Sequence, residues 1–170
     1  TIVGEDVLPD MMIGRLAVNT AAEAAAMVTK IINYETAPVE GDWQQQILAV
    51  ADNMDVAGNF PGLSDYIMNT YVSSPYTVQK IYYTPNLNPV PPYMDLTSAK
   101  AAIINGINAG KLFVNYIGHG GTKYWAGEEL LRADQIPGLT NGYKLPVFLE
   151  MTCYTGYFHD PSPTQNSLAE

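Results

Sequence analysis

A single cysteine, Cys153, stands in 170 residues, which excludes an intrachain disulfide and a multi-cysteine zinc site. Basic side chains are scarce: 8 Lys and Arg face 17 Asp and Glu, for a net charge of −9. Phosphate binding needs a basic face, so no nucleic-acid partner is expected. No run of about 18 apolar residues occurs, so no membrane-spanning helix is expected. The opening TIVGEDVLPD lacks the basic n-region and apolar stretch of a signal peptide. The expectation is a leader already removed, or a start inside a longer protein. No internal repeat appears, and no phosphate-cradling glycine motif follows a strand, which argues against a flavodoxin-like nucleotide binder.

What is present is globular in composition, with 47% hydrophobic and 15% charged residues, enough for one core. The acidity fits a secreted or surface protein. MMIGRLAV (11–18) reads as a short strand. Thr20 and Glu23 form a capping-box pattern ahead of a helix with Ala24, Met27, Val28, Ile31 and Ile32 at helical spacing. WQQQILAVAD (43–52) reads as a second strand, followed by the polar loop DNMDVAGNF. A helix over 64–74 capped by Ser64, a strand QKIYY (79–83) and a proline-rich connection TPNLNPVPPY (84–93) come next. Thr97 or Ser98 caps a further helix, and KLFVNYI (111–117) is a fourth strand. A short helix near 127–134 precedes the fifth strand, LPVFLEM (145–151). Alternating strands and helices predict an α/β fold with a mostly parallel sheet and helices on both faces. The whole chain reads as one domain: residues 1–40 are the lead-in strand and helix, and 41–170 the core.

The chain has two histidines. One, His119, lies in NYIGHGG just past the strand 111–117, and Cys153 lies just past 145–151 in EMTCYTG. Reactive groups in open α/β sheets gather beyond the carboxyl ends of strands. A free thiol is a poor nucleophile at neutral pH until a base or cationic imidazole favours the thiolate; His119 can do this and later protonate a leaving amine. The amides of Gly120 and Cys153 can hold the oxyanion of an acyl-transfer intermediate. Taken singly, His119 is a strand-end residue and Cys153 a small core hydrophobe. Together, at equivalent strand ends, they are read as a dyad. His159, in the loop YFHDPSPT, is the competing base and is ranked below His119. Asp52, Asn53 and Asp55 offer hard oxygens to a structural calcium, although a solvated loop is the plainer reading and no cofactor is required. Trp43 and Trp125 are read as packing residues, with Trp125 also able to border the cleft.

At these residues the chain resembles the gingipain family of cysteine peptidases. The likeness runs through Pro9, Asp10, Gly14, Arg15 and Leu16, KIINYE (30–35), the strand from Trp43, NYIGHGG, NGYKLPVFLEMTCYTGYF (141–158) and SLAE (167–170). MTCYTG departs from the QAC-x-G pattern of true caspases. The resemblance implies a caspase-like fold and a secreted or cell-surface endopeptidase of bacterial or archaeal type that forms a thioester acyl-enzyme, with His119 and Cys153 in the catalytic positions. It implies that Asp65 lines a pocket for a basic P1 residue, with Ile117 and Met151 as further pocket candidates. An acid beside the catalytic histidine falls here on Met54, leaving Asp52 or Asp55 to orient His119. It also implies an incomplete catalytic domain, a fragment or maturation product, whose remainder or second cleaved chain is a partner beside the protein or peptide substrate. Transpeptidation is a variant of the same chemistry. A catalytically silent surface or assembly module is the alternative of another class.

Overall fold

The computed structural model describes residue 11 and residues 13–86, 88–159 and 166–170; Pro9 and Asp10 of the lead-in motif, and Met12 of the first expected strand, lie outside the described residues. Five strands form one sheet: β1 (Gln46–Ala51), β2 (Thr77–Tyr83), β3 (Tyr93–Met94), β4 (Phe113–Ile117) and a last strand at Val147–Met151. Between the last two runs a two-stranded hairpin, β5 (Gly120–Gly121) and β6 (Tyr124–Trp125), which makes the last strand β7. The order is β3-β2-β1-β4-β7, and every pairing in it is parallel.

The sequence reasons for this are local. β1 reads QILAVA and is buried from Ile47 to Ala51, as a central parallel strand covered on both faces must be. Helix α1 (Ala21–Thr36) has the expected capping box, Thr20 Oγ1 accepting from the Glu23 amide and Glu23 reaching back. Helices α2 (Phe60–Tyr71) and α3 (Leu96–Ala109) cover opposite faces. Met68 of α2 packs on Ile47 and Ala49. Ala99, Ile103 and Ile107 of α3 close a larger core with Leu48, Val50, Ile81, Val114, Tyr116 and Trp125. Burying one such aliphatic side chain stabilises by about 1.5–3 kcal/mol. Among the described residues no helix is long and apolar enough to cross a membrane.

Several boundaries differ from the sequence reading. The described part of 11–18 is irregular rather than a strand; Ile13 is 79% exposed, and no ladder supports it where strand propensity is only a preference for a packed, paired surface. Asp42–Gln45 is a turn of 3₁₀ helix ahead of β1, with Trp43 buried and its indole donating to the Val39 carbonyl at 2.8 Å. Helix α2 starts four residues earlier than expected because Asn59 caps it, accepting from the Gly62 amide at 2.9 Å, with Pro61 in its first turn. Proline there loses an amide that has no helical partner anyway. Ser64 is therefore not a cap but a buried residue inside the helix, 3.2 Å from the Tyr82 hydroxyl. Asp95, not Thr97 or Ser98, caps α3. The proline-rich connection ends in the edge strand β3, and 127–134 is turn followed by 3₁₀ helix (Ala133–Gly138) instead of a short α-helix.

Candidate active site

Parallel pairing of β4 with β7 sets Ile117 opposite Met151. His119 and Cys153 each follow two residues later, so equal offsets carry both to the same sheet edge. The ladder continues one step beyond, the Gly118 amide donating to the Met151 carbonyl at 3.4 Å. A side chain at Gly118 would collide with Asp52 and the Tyr116 ring, and one at Gly120 with the Thr152 hydroxyl and the Cys153 carbonyl. The glycine after the histidine is thus what lets its backbone lie against that of the cysteine.

The backbone of His119 is held at both ends. Its amide donates to Asp52 Oδ2 at 3.2 Å, and its carbonyl accepts from the Tyr116 hydroxyl at 2.6 Å and the Ala126 amide at 2.7 Å. Tyr116 is in turn stacked on Trp125, 4.4 Å between centroids and 5° from parallel, while the indole donates to Glu150 Oε1 at 3.1 Å. Trp125 is fully buried, a packing residue under the histidine loop. The imidazole is 49% exposed, its Nε2 lies 2.9 Å from Asp55 Oδ2, and the edge of Phe60 packs on it at 5.2 Å. An Nε2–H donating to Asp55 leaves Nδ1 as the basic nitrogen of the ring.

The two aspartates have different environments. Asp55 Oδ1 accepts from the Ala57 amide at 2.8 Å in an Asx turn; that bond first, and the His119 bond second, hold its carboxyl below the ordinary range. Asp52 is buried, and burial raises its pKa against the amides of Asn53 and His119, which lower it. The loop that offered oxygens to calcium turns all four carboxylate oxygens of Asp52 and Asp55 to groups of this chain. No group of three metal-binding side chains occurs among the described residues.

Cys153 is exposed. Its carbonyl accepts from the Thr155 amide at 2.8 Å, and Tyr154 beyond it has φ of 59°, a left-handed conformation that costs a non-glycine residue about 1–2 kcal/mol and turns the chain sharply after the thiol. Met151 is exposed and Ile117 buried at the strand ends. Asp65 sits on α2 with its carboxylate 2.5 Å from Lys80 Nζ and 2.9 Å from the Tyr82 hydroxyl. Burial acts to raise its pKa, but these bonds outweigh it and the value is lowered. His159 packs on Tyr157, 4.0 Å between ring centroids, in the loop after Cys153. Phe60 and Tyr116 escaped the sequence reading. The Phe-Pro pair at a helix start was the available signal for the first; nothing local marks the second.

Residues 1–170 match Peptidase family C25. Gingipain R2 of Porphyromonas gingivalis is 28% identical over 163 residues, 92% of this chain and 20% of that protein. Gingipain R1 of Porphyromonas gingivalis is likewise 28% identical over 163 residues, 92% of this chain and 15% of the relative. The crystal structure of the Arg-specific cysteine proteinase gingipain R aligns with a TM-score of 0.72 and 26% identity, covering 95% of this chain and 36% of that one. The complex of pro- and mature domains of a Porphyromonas gingivalis gingipain aligns with a TM-score of 0.66 and 22% identity, covering 87% and 34%, and attests the fold alone. The chain spans a fifth or less of the length of the curated relatives it matches. The gingipain-like sheet that the sequence led us to expect is the one observed, and with a match along its whole length the chain belongs to peptidase family C25, the gingipain-like cysteine peptidases of caspase-like fold.

Proposed function

We propose that this chain carries the nucleophile and the acid–base group of a secreted or surface cysteine endopeptidase of bacterial type. The observation that carries the reading is the equal offset of His119 and Cys153 beyond the paired residues Ile117 and Met151, with Gly120 packed on the Cys153 carbonyl. Nδ1 of His119 takes the thiol proton. The Cys153 thiolate then attacks a peptide carbonyl, forming the C–S bond and moving the carbonyl electron pair onto oxygen. The amides of Gly120 and Cys153 receive that oxyanion. As it collapses the C–N bond breaks, and His119 gives its proton to the departing amine. Water, deprotonated by His119, attacks the thioester and restores the thiol. An amine in place of that water gives transpeptidation by the same steps.

Asp55 is the carboxylate that orients the imidazole in this reading, and Asp52 holds the histidine backbone from below. No cofactor enters any step, and calcium on the 52–55 loop has at most a structural part. A basic P1 preference draws on the Arg-specific relative; Asp65 contributes to it only if Lys80 releases its carboxylate, beside Ile117 and Met151 at the pocket wall. Further parts of the catalytic domain, or a second cleaved chain, complete the cleft around a protein substrate. The alternative, a silent surface module, draws on a different observation: the described hydrogen bonds of the imidazole run to Asp55, and none joins it to the thiol.

Iodoacetamide labelling of Cys153, followed by intact mass from about pH 4 to 10, separates the two readings. An activated pair labels fast well below the free-thiol range and loses that speed in His119→Ala. Equal, slow labelling of both proteins leaves the silent module.

A further inference from the structure

Beyond the carboxyl ends of β1 and β2, and against Tyr93 at the start of β3, lies a cleft of about 680 Å³ that the proposed chemistry does not use. Among the described residues no charged side chain lines it. Its walls include four asparagines, Asn53, Asn59, Asn86 and Asn88, and two tyrosines, Tyr83 and Tyr93, among prolines and small apolar groups. Such a lining carries neutral hydrogen-bond donors and acceptors suited to peptide backbone, and flat apolar faces suited to neutral side chains. In a chain with net charge −9, a cleft of this size whose described lining carries no charge is selective by composition.

Its place relative to the dyad gives it a direction. Along the sheet edge the order is Cys153 beyond β7, His119 beyond β4, Asp52 to Asp55 beyond β1, then the cleft. The shared wall is short: Asn59 caps α2 and lines the cleft, and the next residue, Phe60, packs on the imidazole. In acyl transfer the carbonyl half of the substrate stays on Sγ, while the amine half leaves past the group that protonates it. That path runs from β7 over β4 towards β1 and β2. Strands are about 4.8 Å apart and an extended chain advances about 3.3 Å per residue, so roughly three or four residues span it.

We propose that this cleft binds the leaving half of the substrate, taking the second to fourth residues after the scissile bond, and that it selects neutral sequences there over charged ones. The proposal rests on the peptidase reading above. It makes Asn88, exposed on the rim of the cleft, a specificity-determining residue.

The test uses the intact protein and two substrate types with one shared acyl half. One ends in an aminocoumarin leaving group, and the other continues into four residues that are neutral, acidic or basic. The neutral extension is expected to raise kcat/KM about tenfold over the acidic and basic ones, remote binding energy being used at the reacting bond. Asn88→Arg is expected to shift the ratio of rates on acidic and neutral extensions about tenfold towards the acidic ones. Gln45→Arg, at the opposite end of β1, controls for net charge. Equal rates for all extensions, or the same shift in Gln45→Arg, overturns the cleft's role while the peptidase reading stands on the aminocoumarin substrate. Cleavage of neither substrate by wild type overturns both.

Discussion

The Nε2 of His119 lies 2.9 Å from Oδ2 of Asp55, a carboxylate 64 residues earlier in the chain. The contact decides which imidazole nitrogen is basic, and it exists because β1 and β4 are neighbours in the sheet.

Loss of that carboxylate is expected to lower kcat/KM by on the order of 10²-fold in Asp55→Ala, with KM little changed, since an orienting acid acts on the chemical step. Because the folded pKa of Asp55 is depressed, its support of the histidine is present above the unfolded value and is lost as pH falls through the folded one. Steady-state kinetics from neutral pH down into that range read the effect. An unchanged rate in the variant would remove Asp55 from the site.

Asp52 has the opposite sign. Burial, with Glu128 adding like charge, raises its carboxyl above the ordinary value of 3.8 despite two amide donors. The folded state then binds the proton more tightly, so this group's contribution to stability falls as pH rises from the unfolded value through the folded one. Asp52→Asn is expected to gain stability relative to wild type over that window. Asp52→Ala, which strands the amides of His119 and Asn53, is expected to lose about 1–3 kcal/mol. Thermal unfolding at a series of pH values measures both; a wild-type advantage over Asn that grows with pH contradicts the assignment.

Gly120→Ala places a methyl into the Thr152 hydroxyl and the Cys153 carbonyl. Overpacking of this kind costs about 1–3 kcal/mol. The expected result is a protein that still folds by circular dichroism but loses fast alkylation of Cys153. Retained labelling would mean that close approach of the two loops is not needed for an activated thiol.

Asp65→Asn is expected to lower the melting temperature through the lost Lys80 pair and to leave the preference for the residue before the scissile bond unchanged. A selective fall in cleavage after Arg or Lys would instead put Asp65 in the pocket.

Tyr116→Phe removes the hydroxyl that donates to the His119 carbonyl but keeps the stack on Trp125. A loss of about 1 kcal/mol in urea unfolding is expected, against about 3–5 kcal/mol for Trp125→Ala. A Phe variant as unstable as the Ala variant would mean that the hydroxyl, not the stack, holds the loop.

The sequence alone determined the parts of this protein whose signals are local. Apolar runs such as ILAVA and FVNYI mark strands that must be buried on both faces, and the Thr20–Glu23 pair marks a helix start that the structure repeats. The alternation of these elements dictated a parallel sheet, and with it the expectation that loops after two strands meet. Competing local signals mislead: Ser64 resembles a cap, but Asn59 accepts from the Gly62 amide and Pro61 brings no amide that needs a partner. MMIGRLAV has strand propensity, but its described residues pair with no strand. Tertiary structure alone decided register and contacts across long separations. That Ile117 faces Met151, that Asp55 and not Asp52 meets the imidazole, and that Lys80 already holds Asp65 all depend on which strands pair and how far they slide. Those choices are made by burial summed over the whole sheet, and no short stretch of sequence carries that sum.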